Sequence, residues 1–131
     1  HISYYENPTT QANKEKHIVQ MLQLMAATGK LVKISELDMG YVNSSGTTLS
    51  TSQLTDEQHR KMADYYDFIV TKYFEIVPPA QQYGITQWCP TDAPGALGTG
   101  WRGGEPVGLF DQNYNRKYAY AGFANGLMRN K

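Results

Sequence analysis

Apolar residues between positions 7 and 29 follow the spacing of an amphipathic helix. Asn7-Pro8 or Thr9-Thr10 can begin such a helix, and Gly29 suits the position just past its end. The segment is therefore predicted to pack one face against a core. That face repeats at i, i+3, i+4 and i+7 and consists of Ile18, Met21, Leu22 and Met25.

A second helix is predicted over residues 54–77. Thr55 and Gln58 form a capping-box pattern at its start. Pro78-Pro79 end it, because proline cannot continue a helix. Its apolar face is rich in tyrosine and consists of Met62, Tyr65, Tyr66, Ile69 and Tyr73.

Shorter apolar segments are predicted to be strands, at residues 1–3, 31–39 and 83–88. A last helix is expected from about Lys117. The order strand, helix, strand, helix, strand, helix is typical of a parallel sheet covered by helices. Long loops rich in Gly, Ser, Thr and Pro follow the two complete strands, at residues 40–53 and 89–108.

The number of units is too small for a closed barrel, which needs about eight strands and about 250 residues. An open parallel sheet of this size would leave apolar edges and faces exposed. We therefore expect an α/β fold in which residues 1–131 form the carboxyl-terminal portion, about the last three β/α units, of a (β/α)8 TIM barrel. The amino-terminal half of that barrel is expected to lie outside this chain.

Two carboxylates interrupt the segment 32–41, VKISELDMGY, which otherwise has the pattern of a buried strand. Glu36 and Asp38 are two residues apart, so their side chains point to the same face of a strand. Buried charge is costly unless it is paired or used. Because active sites of β/α barrels lie at the carboxyl ends of strands, these carboxylates are candidate site residues. His1 and Trp88 lie at such ends as well.

Composition narrows the possible ligands. Twelve Lys and Arg balance twelve Asp and Glu, and this zero net charge argues against nucleic acid or anionic lipid as the main partner. The sequence has ten Tyr and two Trp, whose flat faces and polar tips suit a sugar, although ordinary helix packing also explains most tyrosines. No apolar run reaches the roughly 18 residues of a membrane span. Cys89 is the single cysteine of the sequence, and His17 and His59 lie on predicted helices without a third ligand at metal spacing. Neither a metal nor a cofactor is therefore expected.

Carboxylates beside aromatic side chains suggest glycoside hydrolysis, which uses two carboxyl groups across the scissile bond. Glu36 and Asp38 both approach from one side of the site, whereas the acid and the nucleophile must flank the sugar. One of the two catalytic carboxyl groups is therefore expected to come from elsewhere.

Three pieces of the sequence resemble glycoside hydrolase family 10. VKISELDM resembles the family's nucleophile segment, hydrophobic-x-Ile-Thr/Ser-Glu-Leu-Asp, and the opening HIS resembles the preceding strand, which ends Gln-x-His-hydrophobic-Ser. GITQW, TD, GWR and LFDQNYNRKYAY resemble the family's closing stretch in the same order. The resemblance covers essentially the whole chain. Members of this family are mostly endo-β-1,4-xylanases with a (β/α)8 barrel and a retaining mechanism that needs no cofactor.

The resemblance implies roles for three residues of the reacting centre. Glu36 matches the nucleophile that forms the glycosyl-enzyme. His1 matches the histidine that hydrogen-bonds this nucleophile, and Asp38 matches the residue that orients the histidine. The family's acid/base Glu follows an earlier strand and has no counterpart in this chain.

The resemblance also implies substrate-binding residues. Trp88 and Trp101 match the aromatic residues around the sugar beside the scissile bond, and Arg102 follows Trp101 as a further candidate. The expected substrate is xylan or xylo-oligosaccharides, and the expected location is extracellular, cell-surface or periplasmic. Two alternatives remain open: a non-catalytic carbohydrate-binding fragment or inactive homologue, and a sister retaining β-glycanase acting on cellulose or mannan.

Overall fold

Strands and helices alternate along the chain in the order predicted from the sequence. The computed structural model describes residues 1–92, 97 and 100–129, so residues 93–96 and 98–99 of the predicted loop 89–108 lie outside it. No helix among the described residues is long and apolar enough to span a membrane. The strands are β1 Ile2–Tyr5, β2 Val32–Leu37, β3 Met39–Val42 and β4 Gln82–Gln87, and the helices are α1 Pro8–Ala27, α2 Asp56–Ile76 and α3 Tyr118–Met128.

The middle strand is divided at Asp38, and its two parts pair with different neighbours. β3 pairs in parallel with β1, and β2 pairs in parallel with β4. Such an offset is expected when neighbouring strands of a barrel are staggered. The sequence placed residues 40–42 in a loop, and this was wrong. Pairing with β1 and burial of Tyr41 extend the strand to Val42.

The helix boundaries follow the predicted caps. The Asn7 side chain accepts a hydrogen bond from the Thr10 amide, which fixes the start of α1 at Asn7-Pro8. Thr55 and Gln58 form the predicted capping box of α2. Gly29 adopts a φ of 69° just past the end of α1, where a side chain would be strained.

The core lies between α2 and the strands. The predicted apolar face of α2 is buried throughout. The face of α1 differs from its prediction, since Leu22 is buried but Met21 and Met25 are 44% and 50% exposed. These methionines line an open cleft of about 670 Å³ beside β2. The main core cluster contains Leu37, Met39, Tyr41, Met62, Tyr65, Tyr66, Ile69 and Ala119.

Helix α3 packs closely against α2 through glycines. A Cβ at Gly122 would collide with the backbone of Ala63, including its carbonyl oxygen. A Cβ at Gly126 would lie 2.7 Å from the Cβ of Val70. The absence of side chains at these positions lets α3 lie against the helix that carries most of the core.

Candidate active site

A single histidine joins the two candidate carboxylates. His1 Nε2 lies 2.8 Å from Glu36 Oε2, and His1 Nδ1 lies 3.0 Å from Asp38 Oδ2. The Glu36 side chain is 47% exposed, whereas that of Asp38 is fully buried. Of the two carboxylates, Glu36 is therefore the one that a ligand can reach.

The hydrogen bonds of this histidine depend on its charge. Carboxylate oxygens only accept hydrogen bonds, so each ring nitrogen needs a hydrogen to make its contact. A neutral ring can donate to Glu36 or to Asp38 but not to both. A ring with a hydrogen on each nitrogen can donate to both carboxylates at once.

Asp38 is the buried centre of the site. Its Oδ2 accepts from His1 and lies 3.3 Å from the indole Nε1 of Trp101, which donates to it. Its Oδ1 accepts from the Arg102 guanidinium at 2.9 Å. A fully buried carboxylate is thus surrounded by donors, as the cost of burying charge requires.

Two tryptophans lie beside the histidine ring. The ring centroids of His1 and Trp101 are 4.5 Å apart, and those of His1 and Trp88 are 5.8 Å apart in an edge-on arrangement. The tryptophans are 48% (Trp88) and 53% (Trp101) exposed. Half-exposed indole faces next to Glu36 give this edge of the sheet an apolar wall that a sugar ring can stack on.

The structure brings together all six residues predicted from the sequence. These residues are His1, Glu36, Asp38, Trp88, Trp101 and Arg102.

Sequence reasoning missed several supporting residues. The Arg102 guanidinium receives support from Ser3 and Glu105, and Gly40 leaves room for it. A glycine inside a strand is a known sign of close approach by another group, so Gly40 could have been noticed. Nothing in the local pattern around Ser3 or Glu105 indicated their part.

A buried ion pair behind the site was also missed. Lys117 Nζ lies 2.6 Å from Asp92 Oδ1 and also donates to the carbonyls of Pro106 and Gly108. Asp92 accepts from Thr51 and from the Gly108 amide as well. Burial lowers the pKa of Lys117, while the charge of Asp92 opposes this change. The pair ties the loop after β3, the chain after β4 and the start of α3 together.

Among the residues that the structure describes, no three His, Cys, Asp or Glu side chains are grouped so that they could hold a metal ion. Cys89 is a partly buried free thiol, and burial raises its pKa. A thiol with a raised pKa is a poor nucleophile.

Comparison with known proteins agrees with this geometry. Residues 1–126 match the sequence profile described as glycosyl hydrolase family 10. The chain belongs to this family. The membership that the sequence motifs indicated is confirmed, and the fold is part of the family's (β/α)8 barrel.

Several family 10 xylanases resemble the chain. The endo-beta-1,4-xylanase Xyn10C of Cellvibrio japonicus is 34% identical over 109 residues, which are 76% of this chain and 18% of that protein. A solved structure of a thermostable mutant of Xyn10A from Cellvibrio japonicus is 27% identical with a TM-score of 0.75 over 97% of this chain. The E385A mutant of xylanase 10C from the same organism, solved with xylopentaose, is 28% identical with a TM-score of 0.74 over the whole chain.

The chain is much shorter than these family 10 relatives. It spans 38% of the Xyn10A chain and 26% of the xylanase 10C chain.

Proposed function

We propose that this chain carries the nucleophile side of a retaining endo-β-1,4-xylanase. The observation that supports this most is the pair of carboxylates joined through His1 beside two half-exposed tryptophans. Membership of glycosyl hydrolase family 10 adds support, as does the xylopentaose bound to a family 10 relative. The substrate is the β-1,4-linked xylose backbone of xylan.

Glu36 is the proposed nucleophile. It attacks the anomeric carbon, the leaving oxygen takes a proton from an acid, and a glycosyl-enzyme ester forms on Glu36. The conjugate base of that acid then takes a proton from water, the water oxygen attacks the same carbon, and the ester bond breaks to release the Glu36 carboxylate. His1 donates to Glu36 before attack and fixes its aim, and Asp38 holds the His1 ring by accepting from Nδ1.

The proposed substrate contacts are the two tryptophans. Trp88 and Trp101 project their half-exposed indoles beside Glu36, where they form the platform and cover of the sugar bound next to the scissile bond. No metal or cofactor takes part in this reaction.

The acid/base carboxyl group must face Glu36 across the sugar, because the two groups flank the scissile bond in a retaining enzyme. We place it in an amino-terminal barrel segment outside this chain, and we assign the chain to about the last three β/α units. Xylan is a polymer too large to enter a cell, so we place the enzyme in an extracellular, cell-surface or periplasmic location.

The test uses the complete barrel, meaning a polypeptide that contains this chain together with the proposed amino-terminal segment. Glu36→Ala should lower xylan hydrolysis by several orders of magnitude, since a covalent nucleophile is lost, and leave the fold intact. Added azide should restore turnover of an activated aryl xyloside. Glu57→Ala is the matched control, because the Glu57 side chain is 78% exposed on α2.

Retention of more than about a tenth of the activity in Glu36→Ala would mean that Glu36 is not the nucleophile. Product analysis on xylan, cellulose and mannan separates the xylanase from a sister β-glycanase. A complete barrel that binds xylo-oligosaccharides but hydrolyses none of these polymers would instead be a carbohydrate-binding homologue.

A further inference from the structure

We propose that Arg102 is a positioning residue that acts through Asp38 on His1, rather than a residue that binds the sugar. Arg102 follows a tryptophan of the site, so contact with substrate was the simplest expectation from the sequence. The contacts of the guanidinium point to a different role.

Every N–H group of the guanidinium has a protein acceptor. Arginine carries five such hydrogens: one on Nε and two on each terminal nitrogen. Nε donates to Glu105, one terminal nitrogen donates to the Ile2 carbonyl and Asp38, and the other donates to Ser3 and Glu105. No donor remains for a sugar hydroxyl, and the side chain is only 15% exposed.

The local backbone is adapted to hold this side chain. Arg102 has a φ of 47°, in the left-handed region that residues with a side chain seldom adopt. A Cβ at position 40 would collide with the Arg102 guanidinium and the Glu105 carboxylate, so Gly40 in β3 provides the space that both occupy. The strand and the loop are thus fitted to one position of the guanidinium.

That position controls the two oxygens of Asp38. Arg102 binds Oδ1, which leaves Oδ2 directed at His1 Nδ1. A continuous series of contacts then runs from Glu36 through His1, Asp38 and Arg102 to Glu105. Without the guanidinium, Oδ1 of the buried Asp38 would lose its Arg102 donor, and the carboxylate that orients the His1 ring would be held only through the contacts of Oδ2 with His1 and Trp101.

The kinetic test rests on the proposed function and uses the complete barrel. Arg102→Met should lower kcat on the order of 10- to 100-fold, since small misplacement of reacting groups has effects of this size, while KM stays within about threefold. Arg102→Lys should recover part of the loss, because it keeps the charge. In the Asp38→Asn background, the same Arg102→Met change should lower kcat by less than about threefold further. Arg60→Met is the matched control at an exposed arginine of α2 that contacts Tyr118.

A second readout does not depend on activity. In protein with isotope-labelled histidine, the Nδ1 proton of His1 should be protected from exchange with water, because Asp38 accepts it. The signal is assigned to this proton by its loss in Asp38→Asn. Protection should be lost in Arg102→Met and kept in Arg60→Met. If Arg102→Met does not fold, Arg102→Lys gives the comparison, and protection should be reduced in it because lysine cannot make all the hydrogen bonds of the guanidinium.

Three results would overturn the proposal. A raised KM with unchanged kcat would assign Arg102 to substrate binding. Independent, multiplicative losses for Arg102→Met and Asp38→Asn would show that Arg102 does not act through Asp38. An unchanged Nδ1 proton in Arg102→Met would show that the guanidinium does not position His1. A wild-type barrel without xylanase activity would refute the proposed function, and the proton measurement would still decide the role of Arg102.

Discussion

Asp38 shows at the scale of one residue how a buried charge becomes useful. Its side chain is fully buried, yet both oxygens are occupied by donors from His1, Trp101 and Arg102. The proposed nucleophile, Glu36, is half-exposed, and within the described part of the chain His1 is its one side-chain hydrogen-bond partner. The first carboxylate is suited to orienting other groups, and the second is suited to reacting.

This difference predicts a smaller effect for Asp38→Asn than for Glu36→Ala. The asparagine keeps the size of the side chain but removes the charge that holds His1, so kcat should fall by about 10²-fold rather than by several orders of magnitude. Steady-state kinetics over a range of pH in the complete barrel checks this. Wild-type turnover with an unchanged pH profile would contradict the role given to Asp38.

His59 on α2 predicts a dependence of stability on pH. Burial lowers its pKa below the ordinary 6.5, and the charge of Lys117 acts in the same direction, while Asp92 and Asp56 act against it. The folded state therefore favours neutral His59, and its contribution to stability is present above about pH 6.5. As the pH falls below this value, the unfolded chain takes up the proton first, and this contribution is lost.

His59→Gln should thus reduce the loss of stability between about pH 7.5 and about pH 5.5, relative to wild type. Urea unfolding of the complete barrel at both pH values measures the difference. His17→Gln is the control, because His17 lies exposed on α1. An equal loss of stability in wild type and His59→Gln would show that His59 does not contribute to the pH dependence of stability.

At the scale of elements, the close contact between α2 and α3 predicts that a glycine-to-alanine substitution in α3 lowers the stability of the protein. Replacing glycine by alanine within a helix normally stabilises it by about 1 kcal/mol. Gly122→Ala should instead destabilise the protein by about 1–3 kcal/mol, because the new Cβ would meet the Ala63 backbone. Thermal unfolding of the complete barrel measures this, with exposed Asn125→Ala in the same helix as the control. A higher melting temperature for Gly122→Ala would mean that α3 does not pack here.

At the scale of the whole molecule, one side of the structure is apolar and uncovered. Leu31 and Met25 are 65% and 50% exposed, and both line the cleft of about 670 Å³ that runs from α1 across β2 to His1 and Glu36. Among the described residues, β2 is paired only with β4, along one edge. A face of this kind is typical of one that packs against further structure.

Residues 1–131 expressed alone should therefore form neither a stable monomer nor an active enzyme. Each large apolar side chain left in water forgoes about 1.5–3 kcal/mol, and a whole domain is stable by only about 5–15 kcal/mol. Near-UV circular dichroism, thermal unfolding and xylan hydrolysis test this, with co-expression of a family 10 amino-terminal segment as the comparison. A cooperative transition with a monomeric mass, or xylanase activity of the chain alone, would contradict the half-barrel interpretation.

Local patterns predicted the helices well, because caps and apolar spacing act within a few residues. Asn7, Thr55 and Gln58 behave as their positions in the sequence suggested. The residues at strand ends were also found, since parallel strands present their carboxyl ends at one edge. The extension of β3 to Val42 escaped prediction because its pairing partner lies more than thirty positions away, in β1. The face of α1 was predicted to pack against a core, yet Met21 and Met25 are partly exposed, because local spacing does not determine what packs against a helix.

The saturated guanidinium of Arg102 has a consequence for the order of folding. The guanidinium donates to the Ile2 carbonyl, which is 100 residues away in the chain, and to the Asp38 carboxylate, which is 64 residues away. Contacts of such long sequence separation require closure of long loops and form late. We therefore expect Trp101, next in sequence, to reach its place beside His1 only after β1 and β3 have paired. Assembly of the edge that carries His1 and Trp101 would therefore be a final event of folding, and recovery of these contacts would report on completion of the sheet beneath it.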